Sequence, residues 1–71
     1  MAEVKNLIEG LLEEMDRVRE MITEYKSLPK NAGLFAATMM EADIKKAEKA
    51  ISEGETIQMM VLYNALKQYE N

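Results

Sequence analysis

Met1, Val4, Ile8, Leu11, Met15, Val18, Ile22 and Tyr25 follow one another at alternating spacings of three and four residues. This is a heptad seam sustained for about four heptads, and a period of that length demands a long amphipathic helix. The spacing predicts a helix over about 2–28, roughly 40 Å long at 1.5 Å per residue. Leu7, Leu12, Met21 and Leu28 flank the seam. They widen it beyond what a two-stranded coiled coil needs, so the helix is expected to pack against more than one partner. Glu9, Glu13, Asp16, Arg17, Glu20 and Glu24 lie off the seam, with Glu13 and Arg17 a favourable i,i+4 pair. Gly10 is placed on the outer face, at a cost of about 1 kcal/mol relative to Ala.

Pro29 ends this helix, because it lacks an N–H and drives Leu28 out of the α region. Asn31 is expected to cap a second helix over about 32–52. Gly33, Ala37, Met40, Ile44, Ala47 and Ile51 form its seam. The second half is amphipathic, with Glu41, Lys45, Lys46, Glu48 and Lys49 outside. The first half, GLFAATMM, carries no charge on any side. A helix that is apolar all round is a buried one, and one partner helix cannot cover it. Gly54 suits a left-handed C-cap. Glu55 with Gln58 forms a capping-box pattern for a third helix over about 56–69. Ile57, Met59, Met60, Val61, Leu62, Tyr63, Ala65, Leu66 and Tyr69 there cover more than one face. The expected fold is all-α: a single three-helix antiparallel bundle over 1–71, with a long N-terminal helix, assembling as a homo-oligomer.

Composition supports association and narrows the chemistry. A chain of 71 residues buries too little surface to be more than marginally stable alone. It has no Cys and no His. That removes disulfides, thiolate metal sites, the commonest general base and the commonest transition-metal ligand. Association with other copies is the staple that remains. The net charge of −4 argues against direct nucleic-acid binding, which needs a basic stripe. No uncharged run approaches the roughly 20 residues of a membrane span. No signal-peptide pattern opens the chain, and a cytoplasmic location is expected.

From Gly33 onward, the positions Leu34-Phe35, Met39-Met40, Ile44, Ala47-Glu48, Gly54-Glu55, Met59-Met60, Tyr63 and Leu66-Lys67 resemble the C-terminal part of short helical reading frames of bacterial phages and prophages. The resemblance covers about half the chain and implies an accessory protein of the host-cell cytoplasm. In size and helical composition the chain also resembles the anti-defence sponges. Proteins of that class oligomerise and trap a host nucleotide second messenger between subunits.

Enzymatic chemistry finds little support. Glu13-Glu14-Met15-Asp16 contains one E-x-x-D. The all-helical nucleotide pyrophosphatases, which this chain resembles in being helical and acidic, hold Mg²⁺ with acidic pairs on facing helices. The second pair is missing here, and no metal or cofactor is expected. Ser27 and Ser52 have no His partner. Gly10, Gly33 and Gly54 are isolated and form no phosphate cradle.

The best candidate for ligand contact is the turn PKNAG. A helix start offers unpaired N–H groups and partial positive charge, Lys30 and Asn31 stand beside it, and Gly33 allows close approach. Phe35, Tyr63 or Tyr69 could stack a base. Arg17 and Arg19 could reach a phosphate from a second subunit. For each of these the plainer role is a cap, a solvated charge or a core aromatic. The candidate oligomer interface is Leu34, Phe35, Ala37, Met39, Met40, Met59 and Met60, although Met more often fills gaps in a core. Three functions follow as expectations: an oligomer that sequesters a small anionic or nucleotide-like ligand, an acidic helical inhibitor or adaptor that binds a host protein, and a small Mg²⁺-dependent nucleotide hydrolase.

Overall fold

The computed structural model describes residues 2–70, and the side chains from Asn6 to Glu70. Three α-helices, α1 (Ala2–Lys26), α2 (Leu34–Glu53) and α3 (Thr56–Lys67), account for most of the described chain, with no strand among those residues. The seam places assigned to Met1 and to the Val4 side chain lie outside the described residues.

The helices pack on one another in all three pairings. Lys26 pairs with Glu41 and Arg19 with Glu48, which sets α2 antiparallel to α1. Tyr69 reaches back to Asp43, so α3 is antiparallel to α2. The core is the heptad seam closed on itself. Leu11, Met15, Val18, Met21 and Ile22 of α1 meet Ala37, Met40, Ile44, Ala47 and Ala50 of α2 and Met59, Leu62 and Leu66 of α3. No polar or charged side chain is buried among them. The widened stripe of α1 is covered only in part within one chain: Met21 is buried and Leu7 half-buried, while Leu12 and Leu28 stay exposed.

Unequal helix lengths shape the molecule, which measures 46 × 18 × 15 Å and is therefore a short rod. At 25, 20 and 12 residues the helices cannot cover one another end to end. α3 closes alongside Arg17 and Asp43. Leu34 lies about 13 Å further along α2 at 1.5 Å per residue. Beyond that point α1 and α2 have only each other.

Four local expectations are corrected. Asn31 does not cap α2. Leu28 is extended, as a residue before proline should be, and Pro29–Asn31 then forms a 3₁₀ turn. Lys30 and Asn31 sit there in the left-handed region, with φ of 58° and 60°. α2 begins after Gly33, whose carbonyl accepts from the Ala37 N–H at 2.9 Å, and no side chain caps it. Secondly, Glu55 precedes α3 without a side-chain capping bond; its carboxyl is engaged with Glu53 instead. Thirdly, Gly10 does not face outward: a Cβ there would meet the Tyr63 ring at 3.2 Å. Finally, Arg17 pairs with Glu14, not Glu13. Gly54 does take the expected left-handed C-cap, with φ of 66°. Ser27 finishes α1, its hydroxyl donating to the Glu24 carbonyl at 2.6 Å.

Candidate functional site

The turn between α1 and α2 is exposed from Leu28 to Ala32. Lys30 projects from it and makes no ion pair among the described residues. Gly33 is not available to a ligand. It is buried against α1, where a Cβ would fall 2.4 Å from the Tyr25 carbonyl oxygen and 2.9 Å from the Tyr25 Cβ. Glycine is needed here for the chain's own crossing from one helix to the next.

Arg17 is committed to holding α3. Its guanidinium donates to the Leu66 and Tyr69 carbonyls, each at 2.8 Å, and to Glu14 Oε1 at 2.9 and 3.1 Å. These carbonyls lie at and just past the end of α3, where intrahelical donors run out, although the Leu66 carbonyl also accepts from the Tyr69 N–H at 3.2 Å. The cation also answers the negative pole of the helix. Tyr69 closes the same corner, its hydroxyl donating to Asp43 Oδ2 at 2.7 Å. Burial, then the bond to Asp43 and the charge of that carboxylate, push the Tyr69 hydroxyl up to about 12. Arg19 binds Asp16 at 3.0 Å and Glu48 at 3.3 Å. Tyr63 lies against Gly10, with the Lys67 amine 5.2 Å from its ring centre. The candidate ligand residues are therefore not gathered in one chain. Lys30, Asn31 and Phe35 share the turn end, while Arg17, Arg19, Tyr63 and Tyr69 are used along the bundle.

The concave places are shallow. An open groove of about 310 Å³ between α1 and α2 is lined by Arg19, Ile22, Thr23, Glu41, Ile44 and Lys45. Its Arg19 is already paired with Asp16 and Glu48. Among the described residues, no group of three or more Asp or Glu side chains is placed to hold a metal ion. Among the described residues, no helix is long and apolar enough to cross a membrane.

The apolar surface is the more informative feature. Of the candidate interface residues, Ala37, Met40 and Met59 are fully buried in the chain's own core and are withdrawn from the surface. Leu34, Phe35, Met39 and Met60 remain exposed, Phe35 at 78%. GLFAATMM is thus covered on one side by α1 and left open on the other, with Leu28 beside it. A second apolar strip runs along α3. Met59, Leu62 and Leu66 face the core, while Ile57, Met60 and Val61 lie half a turn away and are 78%, 53% and 53% exposed. The i, i+3, i+4 spacing of Ile57, Met60 and Val61 is readable in the sequence. Glu53 and Glu55 stand at the start of this strip. A hydrogen bond with Glu53, then repulsion from its charge, holds the Glu55 carboxyl above its ordinary range.

Fold and surface together define a small all-α chain whose distinctive feature is unpartnered apolar surface. Comparison with family models, curated proteins and solved structures found no match.

Proposed function

We propose that this chain is a non-enzymatic accessory protein that acts as a homo-oligomer. One observation carries the reading: large apolar side chains stand in water at two places, Leu28, Leu34, Phe35 and Met39 at the turn end, and Ile57, Met60 and Val61 on α3. Grouped apolar surface of this kind marks an interaction site. A chain of 71 residues also gains most from burying it.

Sequestration of a small anionic ligand between subunits is the form of this reading that Lys30 favours. Its amine is unpaired among the described residues and stands at the same end as Phe35. Arg17, Arg19 and Tyr69, engaged within the chain, have no part in it. Native mass spectrometry of the protein as purified from cells tests both levels. Oligomers carrying extra mass of nucleotide size, lost in Lys30→Glu with the assembly intact, support sequestration. Bare oligomers support the assembly and remove the ligand.

A further inference from the structure

We infer that two copies of this chain pair α3 against α3, antiparallel, about a two-fold axis passing between Met60 and Val61. The inference rests on the homo-oligomer reading and names the contact. The strip on α3 carries no charge between its ends: Ile57, Met60, Val61 and Asn64 occupy one face over two turns. Its first end holds two acidic residues, Glu53 and Glu55. Lys49 lies one turn back on α2 and offsets part of that charge. Its other end holds Lys67, which has no carboxylate partner among the described residues and rests over the Tyr63 ring. Glu70 follows beyond the helix end, where Tyr69 turns inward to Asp43.

An antiparallel pair sets Ile57 of one copy opposite Asn64 of the other. It brings each Lys67 between Glu53 and Glu55 of its neighbour. A two-fold contact has to be self-complementary, and a strip that is acidic at one end, apolar in the middle and basic at the other meets that requirement only when reversed. A parallel pair would set the acidic ends against each other. The apolar middle is short against the roughly 800 Å² per partner of a standard interface. The dimer is accordingly weak and concentration-dependent. It leaves the two Phe35 ends pointing apart, free for a further contact.

The chain contains no Cys, so single-cysteine variants report the contact cleanly. Disulfides form only where Cα atoms come within about 7 Å. Ile57→Cys mixed with Asn64→Cys under mild oxidation should give a cross-linked pair of one copy of each, and neither variant alone should cross-link. Lys67→Glu should weaken dimerisation about two- to fivefold, the range of an exposed ion pair. Adding Glu53→Lys and Glu55→Lys in the same chain should restore it. Self-cross-linking of Ile57→Cys would overturn the antiparallel arrangement. An oligomer in sedimentation with no cross-link in the mixture of the two variants would overturn the α3 contact while leaving the homo-oligomer reading standing. A wild-type monomer at every concentration would overturn both.

Discussion

The Arg17 guanidinium donates to the Leu66 carbonyl oxygen at 2.8 Å, across 49 residues of chain. With its second bond, to the Tyr69 carbonyl, it terminates α3 from a neighbouring helix. A lysine carries the charge without the fork and cannot serve both carbonyls and Glu14 together. Arg17→Ala should therefore destabilise the protein by about 1–3 kcal/mol, and Arg17→Lys should recover less than half of that loss. Urea unfolding followed by circular dichroism measures both. An Arg17→Ala effect below about 0.5 kcal/mol, the level of an ordinary surface change, would deny the clamp its structural role.

Gly33 and Gly54 separate two reasons for glycine. A Cβ at Gly33 meets backbone at 2.4 Å, and backbone cannot move aside as a side chain can. A Cβ at Gly54 meets nothing within 4 Å, and only its φ of 66° is at issue. Gly33→Ala should cost about 2–3 kcal/mol through overpacking. Gly54→Ala should cost about 1 kcal/mol through conformation alone. Thermal unfolding of the two variants side by side gives the order, and the reverse order would contradict this crossing of α1 and α2.

Lys30 holds a left-handed conformation, with φ of 58° and ψ of 28°, that a side chain bearing a Cβ adopts at a cost. Glycine removes that cost and adds some unfolded-state entropy. Lys30→Gly should stabilise the fold by about 0.5–1 kcal/mol. A loss of stability in that variant would mean that the lysine side chain contributes to the fold.

Tyr69 gives the fold an alkaline limit. Its folded-state pKa, about 12, lies above the ordinary tyrosine value of about 10. The folded chain therefore holds this proton more tightly than the unfolded chain. The contribution is complete below pH 10 and is lost as pH rises towards 12. The difference in stability between wild type and Tyr69→Phe should shrink across that window and stay constant below it. A difference that remains unchanged through the window would contradict the hydrogen bond to Asp43.

The seam was legible because burial repeats with the helix period. Leu11, Met15, Val18, Ala37, Met40, Ile44 and Ala47 are all buried as their spacing requires. Leu12 and Met21 flank that seam on opposite sides, and Met21 is buried while Leu12 is exposed. The difference lies in where α3 packs, which no local pattern encodes. Arg17 reads as half of a surface pair because its carbonyl partners are distant in sequence. Asn31 is a good capping residue by type, but the tight crossing at Gly33 moves the start of α2 beyond its reach. The candidate ligand residues dispersed for a related reason. Arg17, Arg19, Gly33, Tyr63 and Tyr69 each had a structural use inside the bundle, and those uses depend on tertiary partners.

Phe35, exposed at 78%, has little to contribute to the isolated fold. Phe35→Asp should change urea stability by no more than about 0.5 kcal/mol while reducing any assembly that uses the turn end. A large loss of stability would instead make Phe35 part of the core.

Self-association is the central claim, and sedimentation velocity of the wild-type chain over a wide range of concentration tests it most directly. Species at whole-number multiples of 8.1 kDa, growing with concentration, are the predicted result. A single 8.1 kDa species at every concentration would contradict the account and leave Phe35, Ile57, Met60 and Val61 without a partner of their own kind.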